Sequence, residues 1–267
     1  MADPRPEGEL PPLLARKPHA EPSTFTAASL LREARRQRGL PAVAAPPVCV
    51  LDPDGDLARF LAVTGRSRHD PAWACYHTTL ARFTLAGREA GIVPHTVGAP
   101  FAVLVAEELA ASGCELVINL TSAGRIAAPS GLTAFVIVER ALRDEGTSFH
   151  YLPPSRYSHL AEDLRQALAG LRLPGGPPLL HGSVWTIDAP FRETASDVAR
   201  HRAEGVLGVE MEAAALYAFA EATGRRVLCL AHLTNELGSE GDFEKGAADG
   251  AEDALRVLEA VAGRLQA

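Results

Sequence analysis

From residue 48 onward the chain alternates short apolar runs with longer stretches in which apolar side chains recur every three or four positions. The short runs, at 48–51, 81–85, 89–93, 116–120, 134–138, 179–184, 206–209 and 227–232, are rich in Val, Ile and Leu and read as strands. The longer stretches at 100–112, 159–169, 195–204, 212–223 and 245–265 read as helices. Strands alternating with helices predict an α/β fold: one domain with a central mixed, largely parallel sheet flanked by helices on both faces. Residues 1 to about 24 differ, with Pro4, Pro6, Pro11, Pro12, Pro18 and Pro22 set among charges, and read as an extended arm. Residues 26–38 then form a basic amphipathic helix, with Leu30, Leu31 and Ala34 beside Arg32, Arg35, Arg36 and Arg38, stopped by Gly39 and Pro41. The expected organisation is an arm and helix over 1–45 and one domain over 46–267. The helix suits docking on its own domain better than a membrane or a partner.

Composition narrows the range of functions. A net charge of -7 argues against a basic nucleic-acid groove, so no nucleic-acid partner is expected. Cys49, Cys75, Cys114 and Cys229 form no C-x-x-C pair, and three lie in or beside apolar runs, which suits buried thiols in a reducing compartment. No run approaches the ~18 apolar residues of a membrane span, and Met1-Ala2-Asp3-Pro4-Arg5-Pro6 has no apolar signal region. A cytoplasmic protein without membrane partners is expected. The sequence lacks a G-x-x-x-x-G-K-[ST] loop, a G-x-S-x-G turn, an H-E-x-x-H helix and metal-ligand spacing among its nine histidines. Those absences weigh against ATPase, serine hydrolase and zinc chemistry, and no metal or cofactor is expected.

The chemistry concentrates where the strand ending at Val209 meets an Ala-rich helix. There Glu210 and Glu212 stand two apart, so they diverge and do not form one acid–base pair. A carboxylate at the C-terminal end of a strand faces the crevice where α/β sheets bind ligands, and an ionised one accepts both hydroxyls of a vicinal diol. The competing structural reading is that one Glu merely favours the helix N-terminus through the macrodipole. The string Val209-Glu210-Met211-Glu212-Ala213 resembles the signature of the nucleoside phosphorylase superfamily, which includes uridine and purine phosphorylases and methylthioadenosine/S-adenosylhomocysteine nucleosidases. The resemblance spans roughly residues 48–267 and is strongest to the uridine phosphorylase-like branch. It implies that Glu212 holds the ribose 2′- and 3′-hydroxyls and that Met211 packs beneath the sugar.

Three further segments carry the resemblance. Val117-Ile118-Asn119-Leu120-Thr121-Ser122-Ala123-Gly124 reads as a strand ending in a small-residue loop, similar to the family's Gly-Ser-Ala-Gly and Gly-Thr-Thr-Gly patterns. It implies that Ser122 contacts sugar or phosphate, although Thr121 stands where the family usually has Gly. Asp188-Ala189-Pro190-Phe191-Arg192 resembles the base-recognition loop, implying that Phe191 stacks on the base while Asp188 and Arg192 read its edge. Residues 141–151 strengthen the uridine phosphorylase-like match. After the strand at 227–232, Asn235 replaces the Asp with which the nucleosidases protonate the leaving base. Its amide can donate to a base carrying developing negative charge, so Asn235 and Glu212 are the expected catalytic residues.

The nucleophile is where this chain departs from its relatives. Phosphorolysis needs an anion site, normally with arginine forks. Here Leu51-Asp52-Pro53-Asp54-Gly55-Asp56 replaces the usual Pro-Gly-Asp-Pro-x-Arg, and Asn119 replaces the Arg of the phosphorylases. Gly98, leading into the helix at 100–112, offers a backbone amide at a helix N-terminus, and with Ser122 and Asn119 makes up the expected phosphate or water site. Arg82 or Arg125 is a further source of charge. Phosphorolysis, with phosphate as co-substrate, is the leading expectation. Hydrolysis, with Asp54 or Asp56 activating water, and nucleoside binding without turnover are the alternatives. The resemblance further implies a small-molecule nucleoside substrate and a homo-oligomer (dimer, trimer or hexamer).

Overall fold

The computed structural model describes residues 11–13, 15–129, 133–236 and 245–266, so residues 1–10 and 14 of the expected arm lie outside the described residues. In chain order the elements are α1 (Ala27–Arg38), β1 (Val48–Asp52), α2 (Asp56–Val63), β2 (Ser67–His69), β3 (Ala81–Leu85), β4 (Arg88–Pro94), α3 (Ala99–Ala111), β5 (Leu116–Arg125) and β6 (Ala134–Asp144). They continue as α4 (Ser148–Tyr151), β7 (Tyr157–His159), α5 (Glu162–Leu168), β8 (Leu179–Ile187), α6 (Ala195–Ala203), β9 (Gly208–Glu210), α7 (Ala213–Thr223), β10 (Arg226–Glu236) and α8 (Ala251–Gln266). Single 3₁₀ turns stand at Pro190–Arg192 and Ala247–Gly250.

The strands form one mixed α/β sheet. Parallel pairing runs through its middle, β4–β1–β5–β10, and antiparallel pairing adds β3 and β2 at one side. On the other side the pairing closes on itself. β10 pairs with β6, β6 with β8, β8 with β9, and β9 returns to β5, giving a small five-stranded ring. Among the helices, α3 packs on α7 and α2 packs on α8. α7 is buried from Ala213 to Ala220, which is why it is built of Ala with Leu216, Tyr217 and Phe219: a helix apolar all round belongs inside. α1 lies against α3, with Arg35 donating to the Ser112 hydroxyl, while its Leu31 and Ala34 pack on Ala74 and its Arg38 donates to the carbonyls of Ala74 and Cys75.

Two differences from the sequence reading affect the site. The segment 121–124, expected as a loop, continues β5 to Arg125 because β9 and β10 both hydrogen-bond to it. The helix expected at 159–169 begins only at Glu162, because Tyr157–His159 is captured as β7 beside β6.

Candidate active site

The site assembles where the C-terminal ends of β5, β9 and β10 meet the start of α3. β9 is held level with its neighbours by register: Val209 faces Gly124 of β5, and Glu210 faces Thr186 of β8. A side chain at Gly208 would meet Leu233 Cδ2 at 2.6 Å and the Gly124 carbonyl at 3.0 Å, so the close approach of β9 to β5 requires glycine there.

The two glutamates have separate tasks. Glu210 Oε1 accepts from the Thr186 hydroxyl, and its Oε2 accepts the N–H groups of Glu212 and Ala213, each at 2.8 Å. It caps α7, as the competing structural reading expected of one of the pair. Glu212 is 1% exposed, and its Oε1 accepts the Gly98 N–H at 2.7 Å. Its other oxygen, Oε2, is buried with no partner among the described residues. Burial, and then the charge of Glu210, push the Glu212 carboxyl well above the usual carboxylate range, while the Gly98 amide and the Thr121 hydroxyl pull it back.

More buried polar groups stand nearby without partners. Asn119, 0% exposed in the middle of β5 and two residues before Thr121 on the same strand face, leaves both amide atoms unpaired. The Thr96 hydroxyl, two residues before Gly98, is also unpaired. Natural proteins rarely leave such groups without a partner, so each is a place for an ordered water or a polar ligand. Asn235 pairs with Gly124 at the end of β10, and Met211 is half-buried between the two glutamates.

Further along β5, Ser122 lines a cavity of about 20 Å³ with Thr121, Asp52, Asp54, Asp56, His232 and Lys245. Asp52 is buried, accepts the Ala58 N–H at 2.8 Å, and is pushed up to about 7, chiefly by burial. His232 stacks on Phe135 with ring centroids 4.3 Å apart, and its burial lowers it to about 4, so the ring is neutral. Lys245, which the sequence did not single out, reaches Asp54 at 3.0 Å and Asp56 at 2.7 Å.

Several expected site residues sit elsewhere or are already engaged. Phe191 is 99% exposed, and Arg192 is exposed beside it on the 3₁₀ turn, so within one chain neither packs near Glu212. Asp188 is exposed and accepts the Gly146 N–H at 2.8 Å, tying two loops together. The Gly98 amide is taken by Glu212 and is not free to hold an anion. Arg82 is bound by Asp70 and Glu89 at the β3 edge, and Arg125 donates to the carbonyls of Pro129 and Leu233. Asp54 and Asp56, suggested as activators of water, are ion-paired. Among the described residues no group of three or more His, Cys, Asp or Glu side chains is arranged to hold a metal ion, and no helix is long and apolar enough to cross a membrane.

The fold is an α/β sheet whose buried carboxylate and unpaired amide and hydroxyl groups stand at the strand ends, where such sheets bind ligands. A model of the Phosphorylase superfamily matches residues 48–263, and the chain belongs to that superfamily. It is 29% identical over 243 residues to a uridine phosphorylase of Thermococcus kodakarensis, covering 76% of this chain and 83% of that one. To a guanosine phosphorylase of Halorubrum lacusprofundi it is 26% identical over 179 residues, covering 64% and 74%. A crystal structure of uridine phosphorylase from Vibrio fischeri superposes with a TM-score of 0.66 at 20% identity, covering 84% of this chain and 93% of that one, and shares the fold.

Proposed function

We propose that the protein is a nucleoside phosphorylase, a pentosyltransferase that releases a free base and ribose 1-phosphate. The observation that carries this reading is the buried Glu212, with one oxygen fixed by Gly98 and the other unpaired. In its ionised form that carboxylate accepts the 2′- and 3′-hydroxyls of a ribose, with Met211 beneath the ring. A phosphate oxygen forms the new bond to C1′ as the C1′–N bond breaks, and the bonding pair leaves with the base. The sugar passes through an oxocarbenium-like state, as in related glycosyl chemistry. The Asn235 amide donates to the departing base, and a solvent proton completes it. No cofactor takes part, and phosphate is the co-substrate.

Both named relatives are phosphorylases, which favours phosphate over water as nucleophile and favours turnover over binding alone. Their differing substrates leave both pyrimidine and purine nucleosides in the set to be tried. We assign base recognition to Asn235, together with Asp188, Phe191 and Arg192 once the Pro190–Arg192 turn is covered by ligand or by a second copy. Phe191 in open solvent supports a homo-oligomer. We also take residues 1–45 as an appended arm and helix, residues 46–267 as the catalytic domain, and the cytoplasm as the place of action. The test is to incubate the pure protein with uridine, guanosine, inosine and adenosine, with and without phosphate. Phosphate-dependent ribose 1-phosphate is expected. Free ribose formed without phosphate would overturn the reading.

A further inference from the structure

The superfamily's arginine-bearing loop after β1 is absent here, and Arg82 and Arg125 are engaged elsewhere, so the charge for an attacking anion needs another source. Among the described residues lining the Ser122 cavity, Lys245 is the cation. That cavity touches the sugar clamp through Thr121, which lines it and also lies against the Glu212 carboxyl. At about 20 Å³ it has room for one water molecule and not for a phosphate, so an anion enters only when a wall withdraws. The ion pair of Lys245 with Asp54 and Asp56 forms one wall. Asp54, on the turn after β1, is held by Lys245 and is about one-third exposed.

Other features of the cavity suit an oxyanion. Its floor includes His232, 6% exposed, whose Nε2 has no partner among the described residues. Gly250 and Ala251 place the first turn of the 16-residue α8 against it, with backbone N–H groups at the positive end of the helix dipole. The turn that delivers Lys245 is tightly made. Ala248 and Asp249 adopt φ of 51° and 54° between Gly246 and Gly250, and Arg59 fastens Asp249 at 2.6 Å. A side chain at Gly250 would meet the His232 ring at 2.5 Å, so turn and floor are fitted to each other.

We propose that Lys245 is the cation that seats the attacking phosphate, held ready by Asp54 and Asp56 and transferred to the anion as Asp54 swings outward. This rests on the phosphorylase reading above and names the residue that replaces the missing arginines. Asp54 then competes with phosphate for the ammonium, while Asp56, itself bound by Arg59, stays in place. Replacing Lys245 and replacing Asp54 therefore have effects of opposite sign.

The experiment measures KM for phosphate and for nucleoside in the wild type, Lys245→Met, Lys245→Arg and Asp54→Asn, with calorimetric titration of inorganic phosphate alongside. In Lys245→Met the phosphate KM rises about tenfold to a hundredfold, the range of a lost charge-assisted hydrogen bond, while the nucleoside KM stays within about twofold. Lys245→Arg restores most of the difference, and Asp54→Asn lowers the phosphate KM. An unchanged phosphate KM in Lys245→Met, or equal changes in both KM values, overturns the proposal. Binding of a nucleoside 5′-monophosphate in place of free phosphate overturns it too. Phosphate binding that is lost in Lys245→Met, in a wild type that forms no ribose 1-phosphate, upholds the seat and refutes the phosphorylase reading instead.

Discussion

Glu210 and Glu212 carry the same functional group two residues apart, and their hydrogen bonds give them different work. Glu210 spends both oxygens on Thr186 and on the first N–H groups of α7, whereas Glu212 keeps Oε2 unpaired. Glu212→Gln turns one acceptor of the diol clamp into a donor, so kcat/KM for nucleoside falls by about a hundredfold or more while the protein stays folded. In the proposed clamp the ribose hydroxyls donate to the ionised carboxylate, whereas burial and the charge of Glu210 hold that carboxyl above its usual range. Nucleoside KM in the wild type therefore falls as pH rises through neutrality, and Glu212→Gln loses that dependence. A pH-independent wild-type KM would refute the clamp. The Glu pair was legible from its string, but the division of labour within it was not, because hydrogen-bond partners from β8 and the loop before α3 are remote in sequence. Lys245 was invisible for the same reason: its partners lie 191 and 189 residues away.

At the scale of elements, the apolar runs marked every long strand, because burial on both faces leaves an uninterrupted hydrophobic signature. The strands β2 and β7 escaped notice, since Ser67-Arg68-His69 is polar and exposed or nearly so, and Tyr157–His159 adjoins a helix pattern. α2 was also missed, because its start is hidden in the turn-like Asp52-Pro53-Asp54-Gly55 string. β5 ran past its apolar stretch because partners, rather than residue preference, keep residues 121–125 extended. α7 depends on its cap: Glu210→Ala removes the acceptor for two N–H groups and strands the Thr186 hydroxyl. A loss of about 1–3 kcal/mol is expected in chemical denaturation, and a midpoint equal to that of the wild type would show that the cap is dispensable.

For the whole molecule, buried ionisable groups set how stability follows pH. Asp52 rises from 3.8 to about 7 on folding, so its contribution is present at low pH and is lost as pH rises through 7. His232 falls from 6.5 to about 4, so its contribution is present above 6.5 and is lost as pH falls through 4. The two oppose each other between these limits, and above pH 6.5 only the carboxyl effect remains, reinforced by the buried glutamates. The melting temperature should drop between pH 6.5 and 8, and drop less in Asp52→Asn, whose side-chain oxygen still accepts the Ala58 N–H. A flat profile in scanning calorimetry would contradict this. The ring formed by β5, β10, β6, β8 and β9 was not legible at all, since closure depends on which strands meet and not on what each contains. It also orders events during synthesis. Leu116–Arg125 waits for a neighbour that leaves the ribosome about a hundred residues later, as Arg226–Glu236. Until then β5 and β6 keep open edges, which invite wrong pairings. The nascent chain has every side chain of the proposed sugar clamp in place by Glu212 and still no pocket, because the strand carrying Asn235 closes the ring and the proposed site together.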